Sequence, residues 1–348
     1  MNRLPLFCCV LSMMTVLLPG AGDPSSDLAA ASAFPPRLER YLSPVQLTKS
    51  DRTALGSGKP VTRCLDADPA REVAVFGAAW IDAPPESYVK AVSDIESFER
   101  GRAFRVTKRI STPPRMEDFS ALRISDDDLD DLKSCRVGDC DLKLGEAAVE
   151  RFRAEVDWRR PTARAHAEVV FRELMLEYVA GYLEGGNARL AVYRDDPTPT
   201  FVADEFAALL GRMPWVASHW PDLRLYLLDY PRATLPGSTS FLYWQDADFG
   251  LKPTIRVSHL VIHERPEETV VASKMLYASH YFWTALELRV LIPDPARGGF
   301  WFLTVNRCRA DGLGGFFGRF VRGRVRSGVQ KGVLTSMAAT KRRLERAE

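Results

Sequence analysis

The last third of the chain carries five short runs of β-forming residues. The runs are rich in Val, Ile, Tyr, Phe and Trp, and each is closed by Pro, Gly or Asp, which is typical of an antiparallel meander. They span residues 240–245, 254–263, 269–277, 280–292 and 300–309. Two earlier runs, 72–81 and 103–110, predict further strands, the first of them apolar on both faces.

Helical spacing of apolar residues precedes and interrupts these strands. Residues 86–100 predict an amphipathic helix, and 146–158 and 161–183 predict two more. Shorter elements are expected at 201–210 and 223–228, so the middle of the chain is predicted to be mostly helical.

The chain ends in one long predicted helix over residues 316–347. Its apolar residues recur every fourth position, at Phe317, Val321, Val325, Val329, Val333 and Met337. Such a stripe must lie on an apolar surface, and the meander is the only large candidate. Gly318, Gly323, Gly328 and Gly332 interrupt this helix at about 1 kcal/mol each relative to Ala. Their presence favours close approach of the helix, either to the sheet or to a ligand.

Composition and charge narrow the classes of function. The 348 residues include 47 Lys and Arg against 45 Asp and Glu, and 46% are hydrophobic, as in ordinary globular proteins. A net charge of +2 excludes a globally basic nucleic-acid binder. No nucleic-acid partner is therefore expected.

The first 22 residues resemble a secretory signal peptide. One basic residue precedes the uncharged run 4–18, and Pro and small residues follow it. Export to the periplasm or the medium is predicted, with an uncleaved anchor or a misread start as alternatives. Residues 23–70 are rich in Pro, Ser and Gly and predict an irregular lead-in.

Four cysteines follow the predicted signal peptide. Cys135 and Cys140 enclose a short loop that contains Gly, and an exported protein can form a disulfide there. A zinc site is the alternative, but no second pair of ligands has suitable spacing. Cys64 and Cys308 are a further possible pair.

A strand ending in Ile81-Asp82-Ala83-Pro84-Pro85, a helix over 86–100, a meander and a long final helix together resemble the START/polyketide-cyclase-like (SRPBCC) superfamily. The resemblance implies an α+β helix-grip fold, in which a curved antiparallel sheet wraps around the C-terminal helix. In such a fold the gap between sheet and helix is a cavity for an apolar ligand. The resemblance covers about residues 71–100 and 240–345. We therefore expect a domain over 71–348 with a helical insertion at about 112–238.

The run 280–292 places charges beside aromatic residues on one face of a strand. Tyr281, Trp283, Glu287 and Arg289 alternate with apolar residues. If this face points toward the final helix, Glu287 and Arg289 can pair and orient the polar head of a ligand. If it points to solvent, they form a surface ion pair of little energetic value.

Histidines are the other candidates for chemistry. His259 and His263 lie four residues apart, which on a strand separates them by about 13 Å, and HExxH spacing is absent, so no metal site is expected. His280, between Tyr277 and Tyr281, is a structural residue, a hydrogen-bond donor to a ligand or a general acid/base.

The leading hypothesis is an exported binder or carrier of a hydrophobic small molecule or lipid, without a cofactor. The candidate ligand-binding residues are Tyr277, His280, Tyr281, Trp283, Glu287 and Arg289. Residues 316–348 carry nine Arg or Lys and two Glu, so this helix presents either a solvated face or a surface that attracts anionic membrane. The alternatives are a cyclase- or hydrolase-like enzyme that uses the same cavity, and an envelope interaction protein.

Overall fold

The computed structural model describes residues 34–101, 103–248, 252–314 and 318–346, with no side-chain description for 318–321. The predicted signal peptide, residues 1–22, lies outside the described residues, as do Phe317, the burial of Gly318 and the side chain of Val321.

Eight antiparallel strands form the main sheet, and two short strands form a separate hairpin. The strands are β1 (Val61–Cys64), β2 (Glu72–Ile81), β3 (Phe104–Ile110), β4 (Val192–Tyr193), β5 (Thr200–Phe201), β6 (Ser238–Ala247), β7 (Thr254–Glu264), β8 (Thr269–Ala278), β9 (Phe282–Asp294) and β10 (Gly299–Ala310). Their order in the main sheet is β1-β2-β10-β9-β8-β7-β6-β3. The first long strand thus pairs with the last, and β6 to β10 form the predicted meander.

Eleven α-helices are present in the part of the chain that the structure describes. They are α1 (Pro36–Leu42), α2 (Lys49–Gly56), α3 (Pro85–Ser93), α4 (Ile95–Phe98), α5 (Asp126–Leu132), α6 (Glu146–Glu155), α7 (Ala163–Gly185), α8 (Val202–Gly211), α9 (Pro214–His219), α10 (Pro221–Asp229) and α11 (Gly318–Leu344). The helical middle and the long C-terminal helix agree with the sequence prediction, and the α+β arrangement is consistent with a helix-grip fold.

The lead-in is more ordered than its composition predicted. Within residues 23–70, α1, α2 and the edge strand β1 are regular, and Leu38, Leu42 and Leu55 are fully buried. Leu38 and Leu42 lie one helical turn apart, which gives α1 a buried side. The segment expected to be irregular therefore contributes to the core.

The sheet is covered on both faces. One face, called here the insertion face, packs against α1, α2 and the helices of the insertion. The opposite face, called the α11 face, packs against α3, α4 and α11. This double coverage explains why all ten residues of β2 are buried.

The apolar stripe of α11 lies on the sheet, mainly on β1 and β2 rather than on the predicted meander. Val333, Met337 and Leu344 are buried, and Val325 and Val329 are partly buried against the same cluster. The closest approach is made by Gly77 of β2, because a Cβ placed there would lie 2.7 Å from Sδ of Met337. The apolar stripe, rather than the helix backbone, thus makes the contact.

The glycines of α11 do not explain this contact. Gly323, Gly328 and Gly332 are exposed, and a Cβ added to any of them would meet no atom within 4 Å. The prediction that they allow close approach to the sheet is wrong for these three, because they lie on the outer side of the helix.

Candidate functional site

The two sides of strand β9 differ in burial. On the insertion face Leu286, Leu288 and Val290 are buried, whereas on the α11 face Ala285, Glu287 and Arg289 are only half-buried. Because β9 lies in the middle of the sheet, solvent must reach this face through a gap between the helices that cover it.

The neighbouring strand continues this opening. Asn306 of β10 pairs with Glu287, Cys308 pairs with Ala285, and both β10 residues are half-buried. We call the set Ala285, Glu287, Arg289, Asn306 and Cys308 the α11-side trough. It is a solvent-accessible strip of an otherwise covered sheet.

A network of alternating charges borders the trough. Arg289 Nη2 donates to Glu287 Oε2 at 2.7 Å and lies 3.4 Å from Glu99 Oε1, just beyond the end of α4. Arg256 Nη1 is 3.7 Å from Glu287 Oε1, and its Nε donates to Gln245 Oε1 at 2.6 Å. Two arginines and two glutamates thus neutralise one another across three strands and a helix end.

Burial sets the protonation of this network. Desolvation alone would lower the pKa of Arg289, but the nearby carboxylates of Glu287 and Glu99 outweigh it and raise that pKa, so the guanidinium stays charged. Burial also raises the pKa of Glu99, although Arg289 opposes the effect. The trough therefore contains a fixed positive charge beside a carboxyl that is less acidic than usual.

Two polar atoms next to the trough lack a partner. Tyr88 Oη and Arg289 Nη1 are buried and make no hydrogen bond with any described residue. Burial raises the pKa of Tyr88, so its hydroxyl stays neutral and can donate or accept. An unpaired buried polar group is costly, so these two atoms are suited to hold a water molecule or the polar group of a ligand.

The surroundings of these atoms are apolar. The Tyr88 ring lies 5.2 Å from the ring of Phe302 and 5.5 Å from that of Phe98. Phe302 and Met337 are buried in the cluster beneath α11. The site thus combines hydrogen-bonding groups with an apolar wall.

The structure brings only two of the six candidate residues into this site. Glu287 and Arg289 lie together in the trough, whereas Tyr277 and Trp283 pack against the cluster beneath the helical insertion. The ring of Tyr277 lies 5.9 Å from that of Tyr178 and 6.1 Å from that of Tyr193, on the insertion face.

His280 and Tyr281 lie in the turn between β8 and β9. His280 is buried, its Nδ1 is 3.1 Å from the carbonyl oxygen of Asp141, and its Nε2 is 3.1 Å from Asp128 Oδ1. Tyr281 has a φ of 59°, and its hydroxyl accepts from the backbone N–H of Lys252 at 2.9 Å. None of these contacts between described residues reaches the trough.

The cysteines near this turn form the expected local disulfide. Cys135 and Cys140 are bonded, and Asp141, the next residue, holds His280. Cys64 and Cys308 are free, so the other suggested pair does not form.

His259 of the meander has structural surroundings. His259 Nδ1 lies 3.0 Å from the hydroxyl of Tyr182 on the insertion face, and burial with Lys274 nearby lowers the pKa of His259 to about 3. Among the described residues, no group of three or more His, Cys, Asp or Glu is arranged to hold a metal ion.

Sequence reasoning missed Tyr88, Glu99 and Arg256. Arg256 is an isolated charge in the apolar run 254–263, and such a charge in a predicted strand could have marked it as a candidate site residue. Tyr88 and Glu99 belong to the predicted helix over 86–100, and nothing in that pattern shows that they meet β9.

Comparison with known proteins adds no family assignment. Neither a protein-family model nor a curated protein sequence matches this chain. Within the described residues, no helix is both long enough and apolar enough to cross a bilayer.

Proposed function

We propose that this protein binds and carries an amphiphile, a hydrophobic small molecule or lipid with a polar head group, in the α11-side trough. The observation that carries the proposal is the half-buried ion pair of Glu287 and Arg289 in the middle of a covered sheet. Binding sites commonly combine an apolar wall with a few convergent polar groups, as this trough does.

The polar end of the ligand lies against Arg289 and Tyr88. Arg289 Nη1 and the Tyr88 hydroxyl are the two unpaired groups, and together they offer a charged donor and a neutral donor or acceptor. The apolar part lies along Phe302 and Met337 beneath α11.

Membership of the START/polyketide-cyclase-like superfamily is part of the proposal. The order of β2, two short helices, β3, the meander and α11, with the first long strand paired to the last, supports it. The helices between β3 and β6 are then an insertion into that plan.

Delivery at an anionic membrane surface would follow from the charge of α11. Its outer side carries exposed basic residues, and Glu345, just beyond the end of α11, is the single acidic residue between 318 and 346. The exposed basic residues are Arg324, Arg326, Lys331, Arg342, Arg343 and Arg346. Each basic residue near an anionic surface contributes about 1 kcal/mol, so this side favours contact with lipid headgroups. A periplasmic or secreted location, after signal-peptide cleavage, belongs to the same proposal.

Native mass spectrometry of protein incubated with an extract of bacterial polar lipids tests the proposal. We expect a bound lipid on the wild-type chain and a marked loss of it in Ala285→Trp, which fills the trough. Ala339→Trp is the matched control, because Ala339 is exposed on α11. Failure of the wild type to retain any lipid, or equal retention by both variants, would overturn the proposal.

A catalytic function of the same trough is the second candidate. The raised pKa of Glu99 favours it, since perturbed carboxyls are common in acid–base sites. Glu99→Gln would then abolish turnover of a bound ligand while leaving its retention unchanged.

A further inference from the structure

A cavity of about 410 Å³ lies on the insertion face of the sheet, on the opposite side from the trough. Its floor is formed by apolar side chains of β2, β9 and β10, including Phe76, Val290 and Leu303. Its roof comes from the lead-in, through Val45, and from α9, through Trp215. The segments that lie outside a minimal helix-grip domain thus build this space.

The size and lining of the cavity suit a small apolar molecule. Ligand pockets in proteins are mostly apolar and have volumes of about 300–1,000 Å³. The apolar floor therefore offers a surface for an alkyl chain or a ring system.

The rim of the cavity is basic. Arg40, Arg212 and Arg307 line it, and Asp66 is the single carboxylate among the described lining residues. The carboxylates that hold these arginines in place, Glu72 and Glu268, are buried behind them and do not line the cavity.

Arg212 is the arginine best placed to meet a ligand. Its Nε lies 3.2 Å from Glu72 Oε2, which fixes the guanidinium, and its Nη2 donates to Asp66 Oδ2 at 3.0 Å. The Asp66 side chain is 96% exposed, so this ion pair is weak and a ligand carboxylate can replace it. Nη1 of Arg212 makes no hydrogen bond or ion pair with any described residue.

We propose that this cavity is a second binding site, which takes an anionic amphiphile with its alkyl chain on the sheet and its carboxylate on Arg212. The site is independent of the trough, because the sheet separates the two. A neighbouring polar depression shares Arg40 and His219 with the cavity, and Glu267 and Glu268 also line it.

Isothermal titration calorimetry with three ligands of equal chain length tests the charge requirement. We expect decanoate to bind about tenfold more tightly than decan-1-ol, since a hydrogen bond to a charged group is stronger than a neutral one. Decylammonium should bind most weakly. Equal affinity for decanoate and decylammonium would overturn the proposal.

Variants of the full-length protein locate the site. Arg212→Ala should weaken decanoate binding about tenfold and leave decan-1-ol binding within about twofold. Arg232→Ala is the matched control, because Arg232 is 84% exposed and does not line the cavity. Loss of decanoate affinity in the control, or none in Arg212→Ala, would contradict the assignment.

Two blocking variants separate this site from the trough. Val290→Trp fills the cavity and should abolish decanoate binding, whereas Ala285→Trp fills the trough and should leave it unchanged. The reverse pattern would place decanoate in the trough and overturn the second site without affecting the carrier proposal. If Val290→Trp does not fold, Arg212→Glu at the rim replaces it as the test of whether decanoate binds in this cavity. The new carboxylate repels that of decanoate and should abolish binding.

Discussion

The contact between α11 and the sheet is tested by Met337→Ala, with Leu334→Ala as the control. Met337 is 2% exposed and packs against Gly77, whereas Leu334 lies on the outer side of the same helix and is 39% exposed. Both changes remove a large apolar side chain and leave Ala, a strong helix former, so they differ mainly in burial.

The expected magnitude follows from the packing at Gly77. Truncation of a buried Met to Ala costs about 2–5 kcal/mol, depending on how far the site collapses. Here β2 is held by β1 on one side and by β10 on the other, so its backbone cannot move in to fill the space. We therefore expect Met337→Ala to lower the free energy of unfolding by about 3 kcal/mol and Leu334→Ala by about 0.5 kcal/mol or less.

Urea denaturation followed by far-UV circular dichroism measures both values. A double-mutant cycle with Gly77→Ala adds a second test, because the new methyl group would lie 2.7 Å from Met337 and 3.0 Å from Thr304, and Met337→Ala relieves the first of these contacts. We expect a coupling of about 1 kcal/mol between the two sites. Equal destabilisation by Met337→Ala and Leu334→Ala, with no coupling, would refute this packing.

Three further predictions concern buried charge and covalent links. Desolvation lowers the pKa of Lys274 to about 7, so above that pH the unfolded state binds the extra proton and stability rises by at most about 1.4 kcal/mol per pH unit. Lys274→Met should remove this slope between pH 7 and about 9, and parallel wild-type and variant curves would contradict it. Replacing Cys135 and Cys140 by Ser should cost about 2 kcal/mol, and reductant should then lower the melting temperature of the wild type but not of the variant. Arg289→Leu removes the guanidinium beside Glu99 and leaves Glu287 with Arg256 alone, and it should cost about 3 kcal/mol at pH 7 in urea denaturation. That deficit should shrink as the pH falls, because burial raises the pKa of Glu99 and its protonated form needs no counter-charge, and a deficit that does not change with pH would argue against the network.

Most of the fold could be read from apolar periodicity. The bounds of β2 were predicted as observed, because its apolar run is uninterrupted and Asp82 ends it. The strands of the meander could also be predicted, since turn residues close each of them. The helices α1 and α2 were missed because they have only seven and eight residues, too few for a periodic pattern to stand out.

The candidate site could be predicted from the sequence only where the alternation of side chains along one strand places its residues on the same face. The two-residue spacing of Glu287 and Arg289 placed both on one face, and the structure agrees. The same alternation does not give the face of Tyr277, because the pairing of β7 with β8 shifts register between Val257 and Ser258. Such a bulge reverses the alternation of side chains, and no local pattern in the sequence predicts it.

Contacts between distant segments of the chain could not be predicted from the sequence. Glu99 meets Arg289 across 190 positions of chain, and the α1–α9 roof of the second cavity joins the lead-in to the insertion. Neither pairing has a local signature, because each depends on how separate elements stack on the sheet.

The most direct measurement of the carrier function is a crystal structure of the protein bound to a lipid brominated on its acyl chain. The anomalous difference map locates the bromine atoms. We expect a peak on the α11 face beside Phe302 and Met337, with density for the head group at Arg289 and Tyr88. Bromine found only on the outer surface of α11, or a trough filled by water alone, would contradict binding in the trough.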